Sequence, residues 1–66
     1  MTFAENLKQW RTSQGLKQKE LAKKLNFSEQ SISHWETGYT EPSIAQLIAL
    51  ADFFDTTIDE LVGRTL

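Results

Sequence analysis

Five side chains between positions 29 and 37 have the chemistry to read a hydrogen-bonding pattern: Glu29, Gln30, Ser33, His34 and Thr37. None is large and apolar; at helical spacing Gln30, Ser33, His34 and Thr37 lie opposite the side that carries Ile32 and Trp35, with Glu29 to one side. Gln30 is the most specific of the set, because a carboxamide can form two bonds at once with an adenine edge in the major groove of DNA. Glu29, in the first helical turn, could accept from a cytosine amino group, although it would also repel phosphates. His34 could meet a base or a phosphate, and its protonation would add positive charge there as pH falls. Any helix in water is polar on its outer side. The constellation as a whole, rather than any single residue, favours base reading over a merely solvated face.

The elements that must hold this face are legible in residues 18–38, QKELAKKLNFSEQSISHWETG. An apolar stripe at Leu21, Ala22 and Leu25 marks one short helix, and Ile32 with Trp35, three apart, marks a second. Between them Asn26 can take the left-handed conformation that ends a helix, and Ser28 is a good N-cap for the helix that follows. Two short helices joined by a tight turn, with the second carrying polar side chains outward, make a helix-turn-helix. The remainder reads as scaffold. Phe3, Leu7 and Trp10 form the buried face of a first helix, and Gly15 either ends it or turns the chain after it. Pro42 stops the loop after Gly38, and Ser43 with Gln46 forms a capping box that starts a fourth helix with core residues Ile44, Leu47, Leu50, Ala51 and Phe54. Thr57 with Glu60 opens a fifth helix, which buries Ile58 and Leu61, with Val62 at its edge, and Gly63 stops it. The expected fold is all-α, five short helices around one core, in a single domain over residues 1–66. Trp10 and Trp35 could stack on bases, but both fall on apolar stripes and are assigned to the core.

The chain resembles a Cro/cI-type helix-turn-helix domain, the lambda-repressor-like or xenobiotic-response-element family. The resemblance runs through Phe3, Leu7, Trp10-Arg11, Gly15-Leu16, Gln18, Leu21-Ala22, Leu25, Ser28, Ile32-Ser33, Trp35-Glu36, Gly38, Pro42-Ser43, Leu47, Leu50-Ala51 and Ile58-Asp59-Glu60-Leu61. It implies that Glu29, Gln30 and His34 approach bases, with Ser28 and Ser31 close by. It also implies that Arg11, Gln18, Thr37 and Tyr39 touch phosphates, and that Arg11 pairs with Glu36. With Lys17 and Ser28 added to the phosphate set, and Ser31 and Ser33 to the base set, these are the expected contacts. Two departures are visible: Lys17 stands where Thr or Ser normally caps helix 2, and Asn26 replaces the usual Gly.

The 66 residues include no cysteine and a single His, so neither a disulfide framework, a thiolate nucleophile nor a zinc cluster of the usual kind can be assembled. No Gly-rich phosphate loop occurs, and His34-Trp35-Glu36 lacks the spacing of a metalloprotease helix. An enzyme, a cofactor and a small-molecule ligand are therefore not expected. No 18-residue apolar run and no signal peptide are present, so the expected location is the cytoplasm.

Charge divides the chain. Residues 1–40 carry six basic groups (Lys8, Arg11, Lys17, Lys19, Lys23, Lys24) against four acids, a net of +2 on the half that holds the motif. Residues 41–66 carry Arg64 against Glu41, Asp52, Asp55, Asp59 and Glu60, a net of −4. Glu20 and Lys24 are spaced to pair across a helix surface. The expected partner is double-stranded DNA bearing a palindromic site. The reader would be a homodimer, weak without DNA, joined through Phe53, Leu61 and Leu66. The competing reading of Phe53 is ordinary core. A protein-interaction module of the antitoxin kind, gripping a basic partner with its acidic half, is the alternative.

Overall fold

Residues 2–63 are described by a computed structural model. They form α1 (Phe3–Ser13), α2 (Gln18–Leu25), α3 (Glu29–Thr37), α4 (Ile44–Phe53) and α5 (Ile58–Val62), with no strand among the described residues. Local chemistry sets the ends. At α1 the Thr2 hydroxyl accepts from the Glu5 N–H at 3.2 Å while the Glu5 carboxylate accepts from the Thr2 N–H at 3.0 Å. This is a reciprocal capping box, and the Thr2 N–H and hydroxyl hold the Glu5 carboxyl below its ordinary range. Ser43 and Gln46 form the expected box at α4, with bonds of 2.8 and 3.2 Å. Asn26 sits at φ 59°, ψ 37° and closes α2 in the left-handed conformation its position implied.

Two local expectations are corrected, and the cap of α2, left open by Lys17, is accounted for. An ammonium group cannot accept a hydrogen bond, so Lys17 leaves α2 without a side-chain cap; Glu20 instead reaches back to accept from the Lys17 N–H at 2.8 Å. Its carboxylate makes no ion pair with Lys24, and among the described residues the ion pair present is Arg11–Glu36. At α5 only half a box forms: the Thr57 hydroxyl accepts from the Glu60 N–H, but the Glu60 carboxylate takes the Thr56 hydroxyl rather than the Thr57 N–H.

Each helix sends one wholly buried aliphatic side chain to the centre: Leu7, Leu21, Ile32, Leu50 and Leu61. Trp35, Phe54, Ala22 and Ala51 complete the core, and Phe3, Trp10, Leu47 and Ile58 pack against it half-buried. The Trp10 ring lies 5.8 Å from that of Phe54, and Phe27 meets Trp35 edge-on at 5.5 Å. Both tryptophans thus serve packing. α3 is held between α1 and α2, α5 packs on α1 and α4, and α2 touches α4.

Ile44 departs from its expected place in the core and is 74% exposed. It is the first residue of α4, at the end of the element, where a shared helical face no longer guarantees a neighbouring helix to bury it. Leu61, assigned both to the buried face of α5 and to a dimer surface, is wholly buried: the core assignment holds, and in a helix as short as Ile58–Val62 the side chain that fills the core is not left for a partner. Phe53 is half-buried and meets Phe54 edge-on at 5.1 Å, and Leu66 lies outside the described residues. Leu50→Ala should cost about 3 kcal/mol in urea unfolding, whereas Ile44→Ala should stay within about 0.5 kcal/mol of the parent.

Candidate nucleic-acid interface

The last turn of α3 is anchored by a buried ionic tie. At the last turn of α1, Arg11 donates from Nε to Glu36 Oε2 at 2.6 Å and from Nη2 to Glu36 Oε1 at 2.9 Å. Its Nη1 donates to the Leu16 carbonyl in the α1–α2 loop at 2.7 Å. From the first residue of α2, Gln18 Nε2 donates to the same Glu36 Oε1 at 3.1 Å. The Arg11 and Glu36 side chains are only 10% and 3% exposed. Bidentate geometry suits a guanidinium and a carboxylate, and among the described residues no buried side-chain polar atom lacks a partner. The bonds to Glu36 raise the Arg11 pKa against the opposing effect of burial. Four segments meet here: the end of α1, the loop after it, the start of α2 and the last turn of α3.

This arrangement places several expected contacts differently from one another. Arg11, expected at a phosphate, is buried and bonded internally, and Gln18 has one amide hydrogen engaged behind the face. Lys17 is exposed at the start of α2. Ser28 caps α3, its Oγ accepting from the Ser31 N–H at 3.0 Å and bonding Ser31 Oγ at 2.8 Å. The Thr37 hydroxyl donates to the His34 carbonyl at 3.1 Å. Glu29 and Gln30 are exposed, and Ser33 and His34 half-exposed, on one helix. Among the described residues none of these four side chains has a hydrogen-bond partner. Their donors and acceptors are therefore not engaged inside the protein.

Two features went unread in the sequence. Asn6 is buried within α1. Tyr39, 75% exposed, lays its ring against that of His34, with centroids 4.8 Å apart. The signal for the second was present: a Gly that ends a helix brings the residue after it back over the last turn. Removing the Arg11–Glu36 pair takes one charge of each sign from the N-terminal half. The net of +2 then rests on five exposed lysines, Lys8, Lys17, Lys19, Lys23 and Lys24.

The helix-turn-helix family model matches residues 7–61, from the first core leucine to the last. The chain belongs to the helix-turn-helix family. Within it the Cro/cI-type resemblance holds, and the five-helix order is that of solved regulators. A transcriptional regulator from Listeria innocua superposes with a TM-score of 0.90 at 40% identity, covering 98% of this chain and 61% of that one. The SOS-response transcriptional repressor LexA from Eubacterium rectale superposes at 0.87 with 30% identity, covering 96% and 67%. By sequence, the chain is 44% identical over 63 residues to the transcriptional activator BcrR of Enterococcus faecalis and 33% identical over 64 residues to the transcriptional regulator ImmR of Bacillus subtilis. This helix-turn-helix chain spans 31% of the former's length and 50% of the latter's. No helix among its described residues is long and apolar enough to cross a membrane.

Glu36→Ala should destabilise the helix-turn-helix domain by about 3 kcal/mol, because it strands a buried guanidinium. Replacing both partners with apolar residues, Arg11→Met with Glu36→Leu, should cost less than the two single losses together. Urea unfolding of the three variants checks both statements.

Proposed function

We propose that this chain is a sequence-specific regulator that lays α3 in the major groove of duplex DNA and represses by occupying its operator. The observation that carries the reading is the outer face of α3. Glu29, Gln30, Ser33 and His34 lie on one helix, exposed or half-exposed, and none has an internal hydrogen-bond partner among the described residues. Gln30 takes an adenine edge, His34, Ser33 and Ser31 take neighbouring positions, and Glu29 accepts from a cytosine amino group. Lys17, Ser28, Thr37 and Tyr39 meet the backbone, with Gln18 beside them at the start of α2. Arg11 acts from behind, as the anchor of Glu36. Structural neighbours and sequence relatives include both a repressor and an activator. Repression is the simpler reading, since occupancy alone achieves it while activation needs a second productive surface.

The reader works as a two-fold dimer on a palindrome, with half-sites about one helical turn apart. The dimer is weak alone. Among the described residues the large apolar side chains left exposed are Tyr39, Ile44 and Ile48, separate side chains rather than a broad apolar face of the kind that holds an obligate dimer. DNA supplies the rest by holding both protomers. With a net of +2 on the motif half, few phosphates are neutralised and the salt dependence is shallow.

Selection from a random duplex pool at two salt concentrations tests this directly. The expected result is a two-fold-symmetric motif. Gln30→Ala should then cost about 1–3 kcal/mol at one base pair of each half-site, and Lys17→Ala should weaken all sequences alike. Retention that disappears uniformly with salt, with no motif enriched, would contradict the proposal.

A further inference from the structure

The end of α3 brings two aromatic side chains together. Gly38 adopts φ +78°, ψ 10°. The chain therefore reverses, with the Gly38 N–H bonding the Trp35 carbonyl at 3.3 Å and the Tyr39 N–H bonding the His34 carbonyl at 2.9 Å. This is the Schellman pattern, in which the residue two past the last helical position is drawn over the residue five before it. In most helices that contact joins two apolar residues and only seals the helix end. Here the two residues are an exposed Tyr and a residue of the reading face, and their rings meet at 4.8 Å with planes inclined at 59°. The juxtaposition is set by backbone bonds and by a left-handed Gly, so it does not depend on side-chain preference alone.

We propose that Tyr39 is a positioning residue for base recognition: its ring fixes the orientation of the His34 imidazole, and so helps to choose the base pair that His34 accepts. The inference rests on the proposed function and goes beyond it, because a Tyr in this loop would otherwise be only a hydroxyl for a phosphate. The two roles separate by chemistry. A phosphate contact uses the hydroxyl and no base identity, so its loss weakens every sequence equally. A positioning contact uses the ring face, is kept by Phe, and matters at one base pair. An unsupported imidazole samples several rotamers and must be ordered on binding, which lowers its power to discriminate.

The experiment measures affinity for a panel of duplexes that carry every single-base change in one half-site, for the parent, His34→Ala, Tyr39→Phe, Tyr39→Ala and the double variant. His34→Ala marks the base pair that His34 reads. Tyr39→Ala should then lower discrimination at that pair by about three- to tenfold, the range an aromatic contact spans, and leave discrimination at the Gln30 pair intact. Tyr39→Phe should keep both preferences while lowering affinity for all duplexes together. In the His34→Ala background, Tyr39→Ala should change no preference further. Tyr39 is largely exposed, so all variants should fold, which helix content by circular dichroism confirms. Equal losses for Tyr39→Phe and Tyr39→Ala across the whole panel would overturn the inference, leaving a phosphate contact. So would a His34→Ala variant that changes no base preference. If the parent protein shows no preference at any position, the proposed function fails and this inference falls with it; a preference at the Gln30 pair that survives while the Tyr39 variants behave alike overturns the inference alone.

Discussion

The carboxylate of Glu36 is the point on which this domain is organised. A charge taken almost wholly out of water is tolerated only when donors surround it, and here three N–H groups from two side chains converge on it. Those donors come from α1 and α2, so satisfying the acid brings together helices that the core alone would leave free to slide. An apolar core is forgiving about register, since one aliphatic contact substitutes for another. A bidentate ion pair with a fixed fork is not. The five central aliphatic side chains make the domain compact, and the tie decides how α3 is turned within it. Ile32 and Trp35 then face inward and the polar row faces out.

The same tie explains a division of labour among polar groups. Arg11 and Gln18 hold α3 from behind, Ser28 and Thr37 complete its two ends, and Glu29, Gln30, Ser33 and His34 are left uncommitted. A helix that carries only nine residues has no stability of its own in water, so its ends and its buried face must all be fixed by neighbours before its outer face can discriminate. The chain spends few charges on attraction: five exposed lysines and a net of +2. In the proposed mode of binding, affinity leans on shape and hydrogen bonding more than on counterion release.

Much of this was legible in the sequence because it is written in local chemistry. Asn26, Ser28, Ser43 with Gln46, and Gly63 each marked a helix end through a backbone or capping requirement that no distant residue alters. Leu7, Leu21, Ile32 and Leu50 were marked by period alone. The misreadings share a cause: each depends on what lies across from a residue. Ile44 continues the stripe of α4 but reaches past its neighbours. Leu61 is assigned both to the core and to a dimer surface, and only the packing across from it decides for the core. Glu20 had two possible partners at helical spacing, and the uncapped N–H of Lys17 prevailed over the ammonium of Lys24. At the site, the pairing of Arg11 with Glu36 came from resemblance, since residues 25 apart share no local signal. The Tyr39–His34 contact was predictable from Gly38, but only by treating that glycine as a geometric instruction rather than as a stop.

The most direct measurement is a residue-resolved NMR titration of the protein with duplex DNA at low salt, following backbone amides and the Gln30 side-chain amide. The account requires the shifts to centre on the outer face of α3, at Gln30, Ser33 and His34, and on the lysines around the start of α2, while the amides of α4 and α5 stay in place. Shifts concentrated in the acidic α4–α5 half, or an α3 that does not respond to saturating DNA, would contradict it.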